Sequence, residues 1–335
     1  MSAWDAATLR EVRDFNRKLA RMPRFGMRYR PLARPLQMLM RLSQVGADRR
    51  LARAGILAEE RRVSPDASAE QVRVRILRPA TGKVAAVVLD IHGGGWVFGN
   101  ARMNDKLNAA MIAACGVAVV SVDYRLALGT PLQGLMDDCL AAARWLLDGG
   151  LPEYAGLPVF IVGESAGGHL AAATLLRLQA WPALRRRIAG AVLYYGVYDF
   201  GGTPSVRQAG PETLVLDGPG MLPSLRALTP GLVDAERRRP PLSPLYGDLA
   251  GMPPAILFAC ELDALRDDTI TMAARWRAAI GDDGVLRDPA ELHLLPDAPH
   301  GIIHFPVRMA QAVTARSHAW IRARIAAAQD AALTY

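Results

Sequence analysis

The strongest constraint on this chain is a series of stretches that are apolar almost without a break. They are VAAVVLDIH (84–92), VAVVSVDY (117–124), VFIVG (159–163), AGAVLYYGV (189–197) and AILFAC (255–260). A strand with one wet face alternates apolar and polar residues. A run without alternation fits a strand buried on both faces, as in a parallel sheet covered by helices. Helix-like segments lie between the runs, near 103–114, 134–148, 166–180 and 267–280, with a last one near 306–328. The pattern predicts an α/β fold with a mostly parallel central sheet flanked by helices. VRVRIL (72–77) instead alternates, as a half-buried antiparallel strand does.

Two stretches stand outside this rhythm. Residues 1–60 read as helices without strands. Leu9, Val12, Phe15 and Leu19 recur at helical spacing until Pro23 and Gly26 break it. A second apolar run, Leu36, Met38, Leu39, Met40 and Leu42, favours a helix packed into the core; a lid over a pocket is the other reading. Residues 200–245, rich in Pro, Gly and Arg, read as an excursion above the sheet.

The charge is uneven. Residues 1–62 hold fifteen Lys/Arg against six Asp/Glu, a net of +9, and the remaining residues hold twenty-five against twenty-six, a net of −1. No nucleic-acid recognition motif accompanies the basic segment, so no nucleic-acid partner is expected. Solvated arginine faces explain the excess, or an attraction to anionic substrates or an anionic lipid surface through residues 1–62. No apolar stretch is long enough to span a membrane, and the polar N-terminus makes a cytoplasmic location the expectation. Cys115, Cys139 and Cys260 are far apart and odd in number, as small core residues rather than a disulfide framework. The scattered histidines and the absence of a dinucleotide fingerprint lead us to expect neither metal nor cofactor.

The chemistry concentrates in three places. Gly163-Glu164-Ser165-Ala166-Gly167 follows one apolar run and precedes a helix-like segment. A tight strand-to-helix turn of this kind lifts the Ser165 hydroxyl clear of the backbone, where the helix dipole favours negative charge. His92-Gly93-Gly94-Gly95-Trp96 follows another run. Its glycines let backbone N–H groups at Gly93, Gly94 and Gly95 converge on a developing oxyanion, joined by the Ala166 amide. His92 reads as holding this loop, not as a base. A serine needs a base and an orienting acid, which follow it in chain order. His300, in PDAPHG after a strand-like ELHLL, is the best base. His169 belongs beneath the turn, His293 within a strand, and His304 and His318 in or near the last helix, as structural or exposed residues. Asp263, just past AILFAC, is the best acid, with Glu261 as the alternative. Asp267 and Asp268 cap the next helix.

Across roughly residues 70–310 the chain resembles the hormone-sensitive-lipase-like esterases of the α/β-hydrolase superfamily. HGGGW (92–96), DYRL (123–126), GESAGGHLAA (163–172), SPLYGDLAGMPPAIL (243–257), ELDALRDD (261–268) and PDAPHG (296–301) fall in the family's order. The resemblance implies the α/β-hydrolase fold and hydrolysis of a small-molecule carboxylic ester. It places nucleophile, acid and base on Ser165, Asp263 and His300, and allows a homodimer. From the chain's own pattern, residues 1–60 read as an N-terminal helical cap segment and 61–335 as a catalytic domain, with 200–242 contributing to the cap. Glu164 stands where the family usually has Asp or Thr, and Ala127-Leu128-Gly129-Thr130-Pro131 replaces its usual A-P-E continuation. Other chemistries of such a scaffold are an arylformamidase-like amidase, an acyltransferase, or a catalytically silent small-molecule receptor.

Overall fold

The computed structural model describes residues 4–26, 33–66, 70–279 and 290–333. Its centre is an eight-stranded sheet in the order β1-β2-β4-β3-β5-β6-β7-β8. The strands are β1 (Ile56–Val63), β2 (Val72–Pro79), β3 (Ala86–Ile91), β4 (Val117–Asp123), β5 (Val159–Glu164), β6 (Ile188–Tyr194), β7 (Ala255–Cys260) and β8 (Ala290–Leu295). From β4 to β8 all neighbours pair parallel. β2 pairs antiparallel with both β1 and β4, so the alternating VRVRIL stretch is the antiparallel one. β3, β5 and β7 are buried at every position, which is why their sequences carry no alternation.

Before the sheet come α1 (Ala6–Leu19), α2 (Ala33–Ser43) and α3 (Ala47–Arg53). Within it lie α4 (Asp105–Cys115), α5 (Leu132–Leu147), α6 (Ala166–Arg177), α7 (Pro182–Arg185), α8 (Pro204–Gln208), α9 (Met221–Leu228), α10 (Asp234–Arg237) and α11 (Arg266–Ala278), and α12 (Arg308–Leu333) closes the chain. Leu135 and Leu140 of α5, Leu170 and Leu175 of α6, and Met272 and Trp276 of α11 belong to one core layer. Val12 of α1, Met111 and Ile112 of α4, and Val313 and Ile321 of α12 belong to a second. The three cysteines are free and buried.

Two expectations are corrected. Residues 1–60 are not strand-free: β1 begins at Ile56, lies against the full length of β2, and crosses the expected boundary at 60/61. Only its end residues Ile56 and Val63 are buried. The apolar run of α2 is not in the core either. That helix buries Ala33 and Gln37, while Leu36, Met38, Leu39 and Leu42 are exposed. The Gln37 amide exchanges two hydrogen bonds with the backbone of Gly99, at 2.6 and 3.0 Å. Gln44 and Asn100 exchange two more, at 2.9 and 3.0 Å. Residues 27–32 of the N-terminal segment lie outside the described residues. Phe25 joins this segment to the 200–242 excursion, donating to the Val215 carbonyl at 2.6 Å and accepting from Asp217 N–H at 2.8 Å.

Candidate active site

β5 ends at Glu164 and α6 begins at Ala166, so Ser165 is the whole turn. Its backbone takes φ 53° and ψ −121°. A non-glycine residue held at positive φ is strained, and the surrounding structure must enforce it. Enforcement comes from the Ser165 N–H bonded to the Tyr194 carbonyl at 2.9 Å, and from packing too close for any side chain. A Cβ on Gly167 would sit 1.9 Å from the carbonyl oxygen of Ile91, so glycine is required there.

The structure brings Ser165, His300 and Asp263 together from three loops. His300 Nε2 lies 2.9 Å from Ser165 Oγ, and His300 Nδ1 lies 2.7 Å from Asp263 Oδ2. With Nδ1–H donating to the carboxylate, Nε2 accepts from the hydroxyl; that tautomer satisfies both bonds. Asp263 Oδ1 accepts from the Leu265 N–H at 3.0 Å, which fixes the carboxylate. The ring of Tyr195 packs edge-on against His300 at 4.8 Å between centroids. Glu261 points elsewhere and accepts from Asp297 N–H at 2.9 Å. Asp268 is buried and binds the N–H groups of Tyr198 and Asp199 at 2.6 and 2.9 Å.

The glycine loop lies beside this series. His92 is stacked on Tyr124 with 4.2 Å between ring centroids, and its Nδ1 lies 2.8 Å from the Gly93 carbonyl. Tyr124 Oη donates to the His92 carbonyl at 2.8 Å. Gly94 adopts φ +99°, and a Cβ there would lie 2.0 Å from the Phe98 carbonyl oxygen. The three expected donors are not equivalent. The Gly93 N–H donates to Glu164 Oε1 at 3.3 Å, whereas Gly94 and Gly95 line the cavity in front of Ser165.

His169 is buried under the turn, accepting from Trp96 Nε1 at 3.1 Å and facing the Leu242 carbonyl from Nε2 at 2.9 Å. Burial pushes its imidazole down to about 4, so it is neutral. His293 lies in β8, 3.5 Å from Glu291, and His318 is buried on α12. His304 departs from expectation. It lines the same cavity as Ser165, and its Nε2 lies 2.9 Å from Glu164 Oε2. Tyr195 Oη donates to that same oxygen at 3.2 Å. Burial raises the Glu164 carboxyl, but the facing His304, with His300 and the Gly93 amide, outweighs it, and the net shift is downward. Burial likewise lowers His304, yet the Glu164 charge carries the net shift upward. Each stabilises the charged form of the other. Nothing in the spacing of His304 betrays this, because its partner lies 140 positions away.

The cavity holds about 280 Å³. Phe25 and Phe98 wall one part of it, and Leu216, Met221, Leu225 and Leu228 another. Both stretches outside the strand–helix rhythm therefore supply its walls. A wider groove of about 640 Å³ lies between α2–α3 and the first strands. Arg75, buried in its wall, is held by Asp105 at 2.9 Å and Asp48 at 2.6 Å, and among the described residues its lining has no nucleophile with a base.

Residues 88–304 match the model of a family described as the alpha/beta hydrolase fold. Carboxylesterase NlhH of Mycobacterium tuberculosis is 32% identical over 258 residues, covering 74% of this chain and 76% of that protein. The esterase LipW of Mycobacterium marinum superposes with a TM-score of 0.77 at 25% identity, covering 94% of this chain and 96% of that one. An esterase from the bacterial hormone-sensitive lipase family superposes with a TM-score of 0.72 at 25% identity, covering 96% of this chain and all (100%) of the other. With its sheet order, its serine turn and its glycine loop, the chain belongs to the α/β-hydrolase fold family, among the hormone-sensitive-lipase-like esterases.

Proposed function

We propose that this protein hydrolyses carboxylic esters of short to medium acyl chain through an acyl-enzyme on Ser165. The observation that carries the reading is the bonded series Ser165–His300–Asp263 opening onto an apolar cavity. Ser165 Oγ attacks the ester carbonyl while His300 Nε2 takes its proton. Asp263 orients the ring and stabilises the imidazolium. The oxyanion is held by the amides of Gly94, Gly95 and Ala166; the Gly93 amide is excluded because Glu164 already occupies it. As the C–O bond breaks, His300 returns the proton to the departing alkoxide. Water then enters, loses a proton to His300 and attacks the acyl carbon. Collapse releases the acid and restores the Ser165 hydroxyl.

Residues 1–60 and 200–242 act as a cap whose walls limit the acyl chain. At about 280 Å³ the cavity lies just below the usual size of ligand pockets, roughly 300–1,000 Å³. A series of nitrophenyl esters of rising chain length, run beside an aryl formamide, tests this. Turnover peaks at short to medium acyl chains and exceeds formamide turnover. Preference for chains beyond about C12 contradicts the size argument, and formamide as the better substrate contradicts the ester assignment.

A further inference from the structure

We infer that the outward face of α2 docks on an anionic phospholipid surface. Amphipathic helices ordinarily bury their apolar stripe and show water the polar one. α2 does the reverse. Gln37, and Gln44 just past the end of the helix, spend their amides on Gly99 and Asn100. Met38, Leu39 and Leu42 lie on the opposite side of the helix, 65%, 61% and 57% exposed, and Val45 just beyond is 71% exposed. Both amides are consumed inside, so the helix offers outward its apolar stripe and its two arginines.

Charge identifies the partner. Arg34 and Arg41 flank the stripe on the same helix, and Arg49, Arg50 and Arg53 follow on α3; all are exposed. They belong to the segment with fifteen Lys/Arg against six Asp/Glu. An apolar stripe edged by arginines matches a helix lying in the headgroup layer of anionic lipid, which attracts each basic residue near it. A second copy of the chain fits poorly. A two-fold contact would set each arginine flank against its own copy. Even with Leu36 counted, five exposed apolar side chains are few beside the roughly 20–30 residues per side of a stable interface.

The position serves the ester reading but does not depend on it. Gly99 and Asn100, which α2 grips, directly follow Phe98, and Phe98 lines the cavity of Ser165. A docked α2 therefore holds the cavity close to the lipid layer.

Co-sedimentation with vesicles tests the inference by binding alone, whether or not esters are turned over. Wild-type protein binds vesicles of phosphatidylglycerol mixed with phosphatidylcholine at least about tenfold more tightly than phosphatidylcholine alone, and added salt weakens the binding. Leu39→Glu/Leu42→Glu loses at least about tenfold in vesicle affinity while circular dichroism keeps the native signal. Arg34→Glu/Arg41→Glu loses affinity likewise, and serves if the leucine variant fails to fold. The inference is overturned by wild-type protein that ignores phosphatidylglycerol, or by variants that bind as wild type does. It is also overturned by a wild-type dimer in sedimentation that Leu39→Glu/Leu42→Glu dissociates, which would make the stripe a contact between copies.

Discussion

Ser165→Ala lowers turnover of a nitrophenyl ester by at least about 10³-fold, with the fold intact. The size follows from chemistry, not from packing. Alanine keeps the backbone of the turn and its bond to the Tyr194 carbonyl. It removes only the hydroxyl that His300 meets at 2.9 Å. What survives is catalysis by the remaining amide donors and by binding, with water attacking in place of the serine. Turnover is read beside thermal unfolding, so that lost chemistry is separated from lost structure. A folded variant with full turnover would sink the assignment of Ser165.

Asp263→Asn is the second large effect, with turnover lowered by about 10³- to 10⁴-fold. The carboxylate accepts Nδ1–H of His300 at 2.7 Å and is itself fixed by the Leu265 amide. An amide at the same place can donate to Nδ1, which moves the ring proton to Nε2. The ring then cannot accept from Ser165, and no anion stabilises the imidazolium. Glu261→Gln is the control, because Glu261 bonds Asp297 and not His300. Its turnover stays within about twofold of wild type. Steady-state kinetics on the two variants decide between the two carboxylates that the sequence leaves open. A larger loss in Glu261→Gln than in Asp263→Asn would reverse their roles.

The sheet and the serine–histidine–aspartate series were legible because each rests on local rules. Strands buried on both faces leave unbroken apolar runs, and β3, β5 and β7 are such strands. Ser165, Asp263 and His300 each follow the end of a strand, in the chain order of the resembling family. What escaped depended on partners distant in sequence. β1 reads ILAEERRV and buries only its two ends, so edge-strand charges look like a solvated helix. In α2 the apolar spacing was real, but no pattern within a helix says which face another element covers. Here two glutamine amides decided it. Equivalent-looking glycines at 93, 94 and 95 separate only when Glu164 takes the first amide. His304 became a cavity residue through that same carboxylate.

Ser165 as the covalent nucleophile is tested most directly by fluorophosphonate labelling followed by intact-mass and peptide mass spectrometry. Wild-type protein gains one phosphonyl adduct, mapped to Ser165, and loses ester turnover in step with labelling; Ser165→Ala gains none. An adduct on another residue, or turnover that persists after complete labelling of Ser165, would contradict the account.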